Sequence, residues 1–158
     1  MDEWLQHYAT QNRRRNITAT WVIADDDFTI AGYLTLSMTG IDASAAPSIM
    51  GKGTPGIIPA LLLGRLAVDS KYAGQGIGTA LVKHVLALAV GLNAQAACRA
   101  VVVNALNQDS LAFWVHLGFH QVDQDDPDNL DLFLLTGEMQ QTMAALSSPL
   151  NAPETRIP

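Results

Sequence analysis

The segment Leu61–Gly78, with the sequence LLLGRLAVDSKYAGQGIG, constrains the fold of this chain more than any other feature. It has the pattern of an apolar strand followed by a turn with glycines at alternate positions, Gly74, Gly76 and Gly78. Glycine lets a ligand approach the backbone closely, and the free N–H groups of a first helical turn attract anions. The segment therefore predicts a phosphate-binding loop between a buried strand and a helix.

The composition is typical of one globular domain of moderate size. The chain has 158 residues, of which 49% are hydrophobic and 15% charged, with a net charge of −6 and one cysteine, Cys98. These values predict a single domain with no internal disulfide. We expect the domain to cover residues 1–146, because the last twelve residues contain three prolines and are typical of a loose tail over 147–158. No apolar run is long enough to span a bilayer and no signal-type segment is present, so we expect a cytoplasmic protein without a membrane partner. The acidic charge counts against nucleic-acid binding but allows a local basic patch.

The order of apolar and turn segments predicts a mixed α/β fold. Helices are expected at 3–14 (capped by Asp2), after the glycine loop, from Asn107 or Asp109 to Leu117, and at 137–146. Strands are expected at 18–24, 30–38, 60–68, 99–105, 119–122 and 130–135. The acidic triplet Asp25–Asp27 is interpreted as a hairpin turn, and the segment 40–59 as a mobile loop.

The glycine loop, which covers residues 69–78, is compatible with three kinds of nucleotide-binding cradle. The dinucleotide fingerprint fails because Thr79 occupies its last small-residue position and no carboxylate lies about 20 residues further on. The Walker pattern fails at Lys52, which is followed by Gly53 and is not preceded by a strand. The third cradle holds a pyrophosphate on the backbone amides of 74–79, with an extended pantetheine arm beside the strand end at 66–68.

Two motifs in order resemble the GNAT N-acetyltransferase family. The first is Leu66-Ala67-Val68, then Tyr72, then AGQGIG from Ala73; the second is the segment FWVHLGF, from Phe113 to Phe119. The resemblance implies a mostly antiparallel twisted sheet with helices on both faces, lacking the family's first strand and splayed where acetyl-CoA enters. It also implies acetyl transfer from acetyl-CoA, as co-substrate, to a primary amine, with no metal.

The resemblance assigns roles to individual positions. Contacts to the pantetheine arm are implied for Leu66, Ala67, Val68, Asn107 and Phe113, and pyrophosphate binding for Ala73, Gly74, Gln75, Gly76, Ile77, Gly78 and Thr79.

Ala73 and Trp114 depart from the family pattern, and Arg65 is assigned to the substrate. Ala73 replaces the usual glutamine or arginine, which removes one side-chain contact. Trp114 is the candidate catalytic residue and replaces a common tyrosine; its indole N–H can donate a hydrogen bond to the leaving thiolate but cannot protonate it. Arg65, the only charged residue of the central strand, is assigned to the substrate. Since that strand carries no base, an α-amine of pKa about 7.7–8.0 is expected to lose its proton to water.

Within the family, the chain resembles the toxin branch that acetylates the amino group of aminoacyl-tRNA. The matching segments are 2–5, 32–37, Pro59 and 63–69. This implies an aminoacyl-tRNA substrate, a basic patch from Arg13–Arg15, Lys52 and Arg65, and a ribbon-helix-helix antitoxin. An open sheet edge favours a homodimer. The alternatives are a small-molecule or peptide amine acetyltransferase and, because of Trp114, a weakly active acyl-CoA-binding protein.

Overall fold

A single six-stranded sheet forms the centre of the protein. The computed structural model describes residues 3–54 and 56–147, and the strand order is β1-β2-β3-β4-β6-β5. All neighbours are antiparallel except β3 and β4, which are parallel. The mixed, mostly antiparallel sheet predicted from the sequence is therefore confirmed. The strands are β1 (Ala19–Ala24), β2 (Ile30–Asp42), β3 (Ile57–Val68), β4 (Ala100–Asn104), β5 (His120–Gln121) and β6 (Asp131–Leu135).

Six α-helices accompany the sheet in the described part of the chain. They are α1 (Glu3–His7), α2 (Ala9–Arg14), α3 (Ser48–Gly51), α4 (Ile77–Asn93), α5 (Gln108–His116) and α6 (Met139–Leu146). The single N-terminal helix predicted at 3–14 is wrong in one respect, because the chain turns at Tyr8 and forms two short helices. Neither helix buries a residue fully, so little packing energy holds one continuous helix together. The predicted cap, Asp2, lies outside the described residues.

The segment 40–59 was predicted to be a mobile loop throughout, but 40–42, 48–51 and 57–59 are strand or helix, so the loop is shorter than predicted. Strands β2 and β3 pair as far as Asp42 and Ile57, with Gly40 opposite Pro59, and α3 lies between them. Met50 of α3 is buried and packs in a small cluster against the sheet. Long-range strand pairing and burial outweigh the local preference of glycine and proline for loops.

Helices cover both faces of the sheet, as expected. On one face, Leu81, Val82, Val85, Leu86 and Ala89 of α4 are buried in the main core. On the opposite face, Met50 contributes to a second cluster that includes Ile58, Ala100, Phe133 and Leu135. The apolar residues at 77, 81, 85, 88 and 92 of α4 all lie in or against this core, as the helical periodicity of the sequence predicts.

The C-terminal half also follows the sequence prediction. Asn107 caps α5 through a reciprocal pair with Ser110, and Gly118 ends the helix with φ +93°. Strands β5 and β6 form the expected antiparallel pair. Of the predicted tail 147–158, residues 148–158 lie outside the described part, so the domain boundary stays a prediction. Among the described residues, no helix is long and apolar enough to cross a membrane.

Candidate active site

The central strands separate halfway along the sheet and open a cleft. Parallel pairing of β3 with β4 covers only Ala60–Leu63 opposite Ala100–Val103, whereas β3 runs on to Val68 against β2. Beyond Leu63, the side of β3 that faced β4 has no strand partner among the described residues. Unpaired strand groups of this kind can bind an extended ligand that carries amides.

The cleft has the size of a small-molecule site. Its volume is about 540 Å³, within the usual range of ligand pockets. Of the residues assigned from the sequence, it brings together Arg65, Leu66, Ala67, Phe113 and Trp114. The remaining lining residues were not predicted from the sequence; they are Tyr33, Leu63, Gly64, Val103, Asn104, Leu106 and Ser110.

A β-bulge lies where the strands part. Leu36 is opposite Leu63 and Thr35 is opposite Arg65, so Gly64 is the extra residue of β3. A bulge leaves local backbone groups outside the ladder and re-aims the strand. The bulge at Gly64 lies two residues before the strand end at 66–68 that the sequence assigned to the pantetheine arm.

The glycine loop has the conformation expected of a backbone anion site. Gly74 and Gly76 have φ angles of +74° and +78°, and Gly76 is the N-cap of α4. Among the described residues, no side chain caps this helix. The first N–H groups of α4, from Ile77 to Thr79, therefore remain available to a ligand. A Cβ at Gly74 or Gly76 would meet nothing within 4 Å, so the backbone conformation, not crowding, requires glycine at both positions.

The start of α4 is in contact with the wall of the cleft. A Cβ built on Gly78 would lie 3.5 Å from Cζ of Phe113 and 3.7 Å from Cγ2 of Val68. Cleft and loop are thus contiguous, which suits a ligand with an extended arm at one end and phosphates at the other. Ala73 and Gln75 are exposed in the same loop. The arrangement fits the pantetheine arm and pyrophosphate of acetyl-CoA.

Trp114 is both a core residue and part of the cleft wall. It is 5% exposed and packs edge-to-face between Phe113 and Phe119, with ring centroids 5.2 and 5.1 Å away. Aromatic pairs at such distances stabilise a fold beyond simple area burial. The indole is held rigidly beside the cleft, where its N–H is its only hydrogen-bonding group.

Side chains from three separate elements meet, because Trp4 of α1 contacts both Arg65 of β3 and Tyr33 of β2. Its guanidinium lies 5.1 Å from the ring centroid of Trp4, and Trp4 stacks on Tyr33 with centroids 6.0 Å apart and planes 3° from parallel. Tyr33 is fully buried and lines the cleft. The N-terminal helix α1 therefore fixes the cation that the sequence assigned to the substrate. The sequence had no signal for this contact beyond the presence of Trp4.

Asn107 lies next to the cleft and is engaged in the helix cap. Its Oδ1 accepts from the backbone N–H of Ser110 at 2.9 Å, and the Ser110 hydroxyl lies 3.2 Å from the same oxygen. The contact to the cofactor arm assigned to Asn107 stays a prediction. Its neighbours Leu106 and Ser110 line the cleft directly.

Arg65 is the only charged residue among the described residues that line the cleft, and no Asp, Glu or His accompanies it. The histidines of α4 and α5 lie elsewhere. His84 of α4 is exposed and packs against Trp21 at 4.4 Å, and His116 is exposed at the end of α5. In the described ranges, no group of three or more His, Cys, Asp or Glu residues could hold a metal ion.

Comparison with known proteins identifies the family. The model of the acetyltransferase (GNAT) family matches residues 1–119. A tRNA-acetylating toxin of Mycobacterium tuberculosis is 32% identical over 138 residues, covering 85% of this chain and 80% of the relative. The structure of AtaT complexed with acetyl-methionyl-tRNAfMet has a TM-score of 0.78 at 25% identity, and a tyrosine-to-phenylalanine mutant of KacT has 0.78 at 31% identity. Each match covers 87% of this chain and 82% of the other. The chain belongs to the GNAT family of N-acetyltransferases, whose co-substrate is acetyl-CoA.

Proposed function

We propose that this protein transfers the acetyl group of acetyl-CoA to the amino group of aminoacyl-tRNA. The observation that carries the proposal is the splayed cleft, which ends at an uncapped helix N-terminus, in a chain 32% identical to a tRNA-acetylating toxin. The cleft supports acetyl-CoA as the co-substrate, and the similarity to the toxin supports aminoacyl-tRNA as the acceptor.

The site residues are proposed to divide between the two ends of acetyl-CoA. The unpaired backbone of β3 at Leu66–Val68 and the ring of Phe113 would hold the pantetheine arm, and the amides of 74–79 would hold the pyrophosphate. Similar structures include one of AtaTR bound with AcCoA, with a TM-score of 0.74 at 26% identity. Backbone amides at a helix start need no side chain to bind a phosphate, so Ala73 is compatible with binding.

Catalysis is proposed to depend mainly on positioning. An α-amine with a pKa near 7.7–8.0 is partly neutral at pH 7, so it can attack without a strong base in the cleft. A backbone N–H at the Gly64 bulge is our candidate donor to the developing oxyanion. Trp114 would donate its indole N–H towards the leaving sulfur. Holding both reactants in one cleft supplies the remaining advantage.

The acceptor end of the site is proposed to lie at Arg65. This side chain is a cation at the mouth of an otherwise uncharged cleft, and Trp4 restrains it. A guanidinium can pair with a phosphate of the tRNA acceptor end. The exposed residues Arg13–Arg15 would extend this basic surface despite the net charge of −6. Lys52, expected from the sequence to join it, does not, because it follows α3 at the end of β3 opposite to Arg65.

The partners follow from the same proposal. A relative of this chain is a toxin, and a toxin that stops translation in its own cell requires a protein that holds it inactive. We propose an antitoxin of the ribbon-helix-helix class as that partner, a homodimer as the working unit, and the cytoplasm as the compartment, since charged tRNA is found there.

A CoA-release assay tests the acceptor directly. Purified protein would be mixed with acetyl-CoA and charged tRNA, deacylated tRNA, or a panel of small amines and peptides. We expect release with charged tRNA only, together with growth arrest when the chain is expressed without an antitoxin. Faster release with a small amine or peptide would replace the tRNA proposal by that acceptor class. Binding of acetyl-CoA without release on any acceptor would support the acyl-CoA-binding alternative, in which Trp114 has disabled the site.

A further inference from the structure

Two loops that are distant in the sequence meet beside the glycine loop. The Tyr72 hydroxyl donates to Oδ2 of Asp25 over 2.5 Å, a contact between residues 47 positions apart. Tyr72 ends a short 3₁₀ turn at Ser70–Tyr72, immediately before Ala73 and Gly74. Asp25 is the first residue of the turn between β1 and β2.

The glycine loop has few other long-range restraints. The backbone bonds of Tyr72, Ala73 and Gln75 all go to residues within three positions in the same loop. Towards its start, Asp69 donates its N–H to the Ala31 carbonyl at 2.9 Å. A loop restrained only locally samples several conformations, and a ligand that needs one of them binds more weakly in proportion to its population.

The Asp25 carboxylate is itself held in place. Its Oδ1 accepts from the backbone N–H groups of Asp27 at 3.0 Å and Thr29 at 2.8 Å. This leaves Oδ2 for Tyr72. The Tyr72 hydrogen bond is the main reason that the pKa of Asp25 is below its ordinary value, and the turn N–H groups lower that pKa further. The acceptor is therefore preorganised and ionised at neutral pH.

We propose that the hydrogen bond from Tyr72 to Asp25 is a clasp that fixes the glycine loop in the conformation that binds the pyrophosphate of acetyl-CoA. Tyr72 and Asp25 are then positioning residues: they restrain the backbone of 73–79 without contacting the co-substrate. The inference rests on the proposed use of the glycine loop as the pyrophosphate site. It gives the acidic turn, which the sequence presented only as a hairpin connection, a part in co-substrate binding.

The Tyr72→Phe variant removes the hydroxyl and keeps the ring, so the local packing is retained. A single hydrogen bond contributes a net free energy equivalent to roughly a 2- to 10-fold change in an equilibrium constant. We expect a rise of that size in the acetyl-CoA Kd by calorimetry, with KM for acetyl-CoA raised and kcat unchanged. Amide hydrogen exchange should become faster at 73–79. Tyr8→Phe is the matched control, since Tyr8 is 52% exposed and distant in sequence from both loops, and it should leave all three measurements unchanged.

A double-mutant cycle decides whether Tyr72 acts through Asp25. With a clasp, Asp25→Ala weakens acetyl-CoA binding, and adding it to Tyr72→Phe weakens binding little further. Unchanged affinity in Tyr72→Phe, while the wild type binds acetyl-CoA, overturns the clasp and leaves the pyrophosphate site intact. Strictly additive effects also overturn it. A wild type that binds no acetyl-CoA removes the proposed site and the clasp together.

Discussion

Replacing Gly76 by alanine should weaken binding of acetyl-CoA while the protein remains folded. Gly76 is the N-cap of α4 with φ +78° and ψ 8°, in the left-handed region. A Cβ at this position would meet nothing within 4 Å. The substitution therefore adds backbone strain without a steric clash, and any loss of function is attributable to the loop conformation.

The magnitude follows from the cost of that conformation. A non-glycine residue in the left-handed region costs roughly 1–2 kcal/mol. The free loop of Gly76→Ala can relax, but amides that converge on a pyrophosphate require the original conformation, so the strain is imposed on the bound state. Since about 1.4 kcal/mol corresponds to a tenfold change, we expect the acetyl-CoA Kd to rise roughly 5- to 30-fold.

Two glycines provide matched controls. Gly53 has φ +75° and open space around its Cβ position, so Gly53→Ala carries the same strain outside the cleft. Gly91 lies in α4 with no close neighbour at its Cβ position, so Gly91→Ala should stabilise the helix by up to about 1 kcal/mol. Calorimetric titration with acetyl-CoA should show weaker binding in Gly76→Ala alone. Thermal unfolding should show that all three variants remain folded. Equal losses of affinity in Gly53→Ala and Gly76→Ala, or less than a twofold change in Gly76→Ala, would refute the reasoning.

Four other changes have defined outcomes. Trp114→Tyr should raise kcat about tenfold in steady-state assays, because a phenol can protonate the leaving thiolate, and an equal or lower kcat would show that the tyrosine is dispensable. Trp114→Ala should lower the free energy of unfolding by about 3–5 kcal/mol in urea titrations, because it empties a buried aromatic site. Asn107→Ala should cost about 1 kcal/mol by the same measurement, through loss of the α5 cap. Since the folded pKa of Asp25 is lowered, first by Tyr72, its stabilising effect exists above the unfolded value of about 3.9 and disappears as the pH falls through the lower folded value. The Tm difference between wild type and Asp25→Ala should therefore shrink below about pH 4.

Elements with a strong local pattern could be predicted closely. The apolar strand before the glycine loop, the stripe of α4 and the cap at Asn107 each have a period or a cap residue that specifies them locally. The extent of β2 and β3 and the helix α3 could not be predicted, because they depend on pairing between residues about 20 positions apart. The break at Tyr8 was missed because a short helix with few buried side chains has a weak pattern.

The residues of the candidate site also fall into a group that the sequence predicted and a group that it did not. Residues that belong to a contiguous motif, such as Leu66, Ala67 and Phe113, were assigned from the sequence and do line the cleft. Tyr33 and Leu106 were missed because they reach the cleft from β2 and from the segment after β4. Only the splay of β3 from β4 brings these segments to one place.

The sequence by itself determined the order of strand, glycine loop and helix, and with it the prediction of an anion-binding loop, because glycine positions and apolar periodicity are local properties of the chain. Tertiary structure alone decided where β3 leaves β4, that Gly64 forms the bulge at that point, and that Tyr72 meets Asp25 across 47 positions. Such contacts depend on strand register and on how the loops fold over the sheet. Neither the register nor the loop packing can be predicted from the spacing of residues along the sequence.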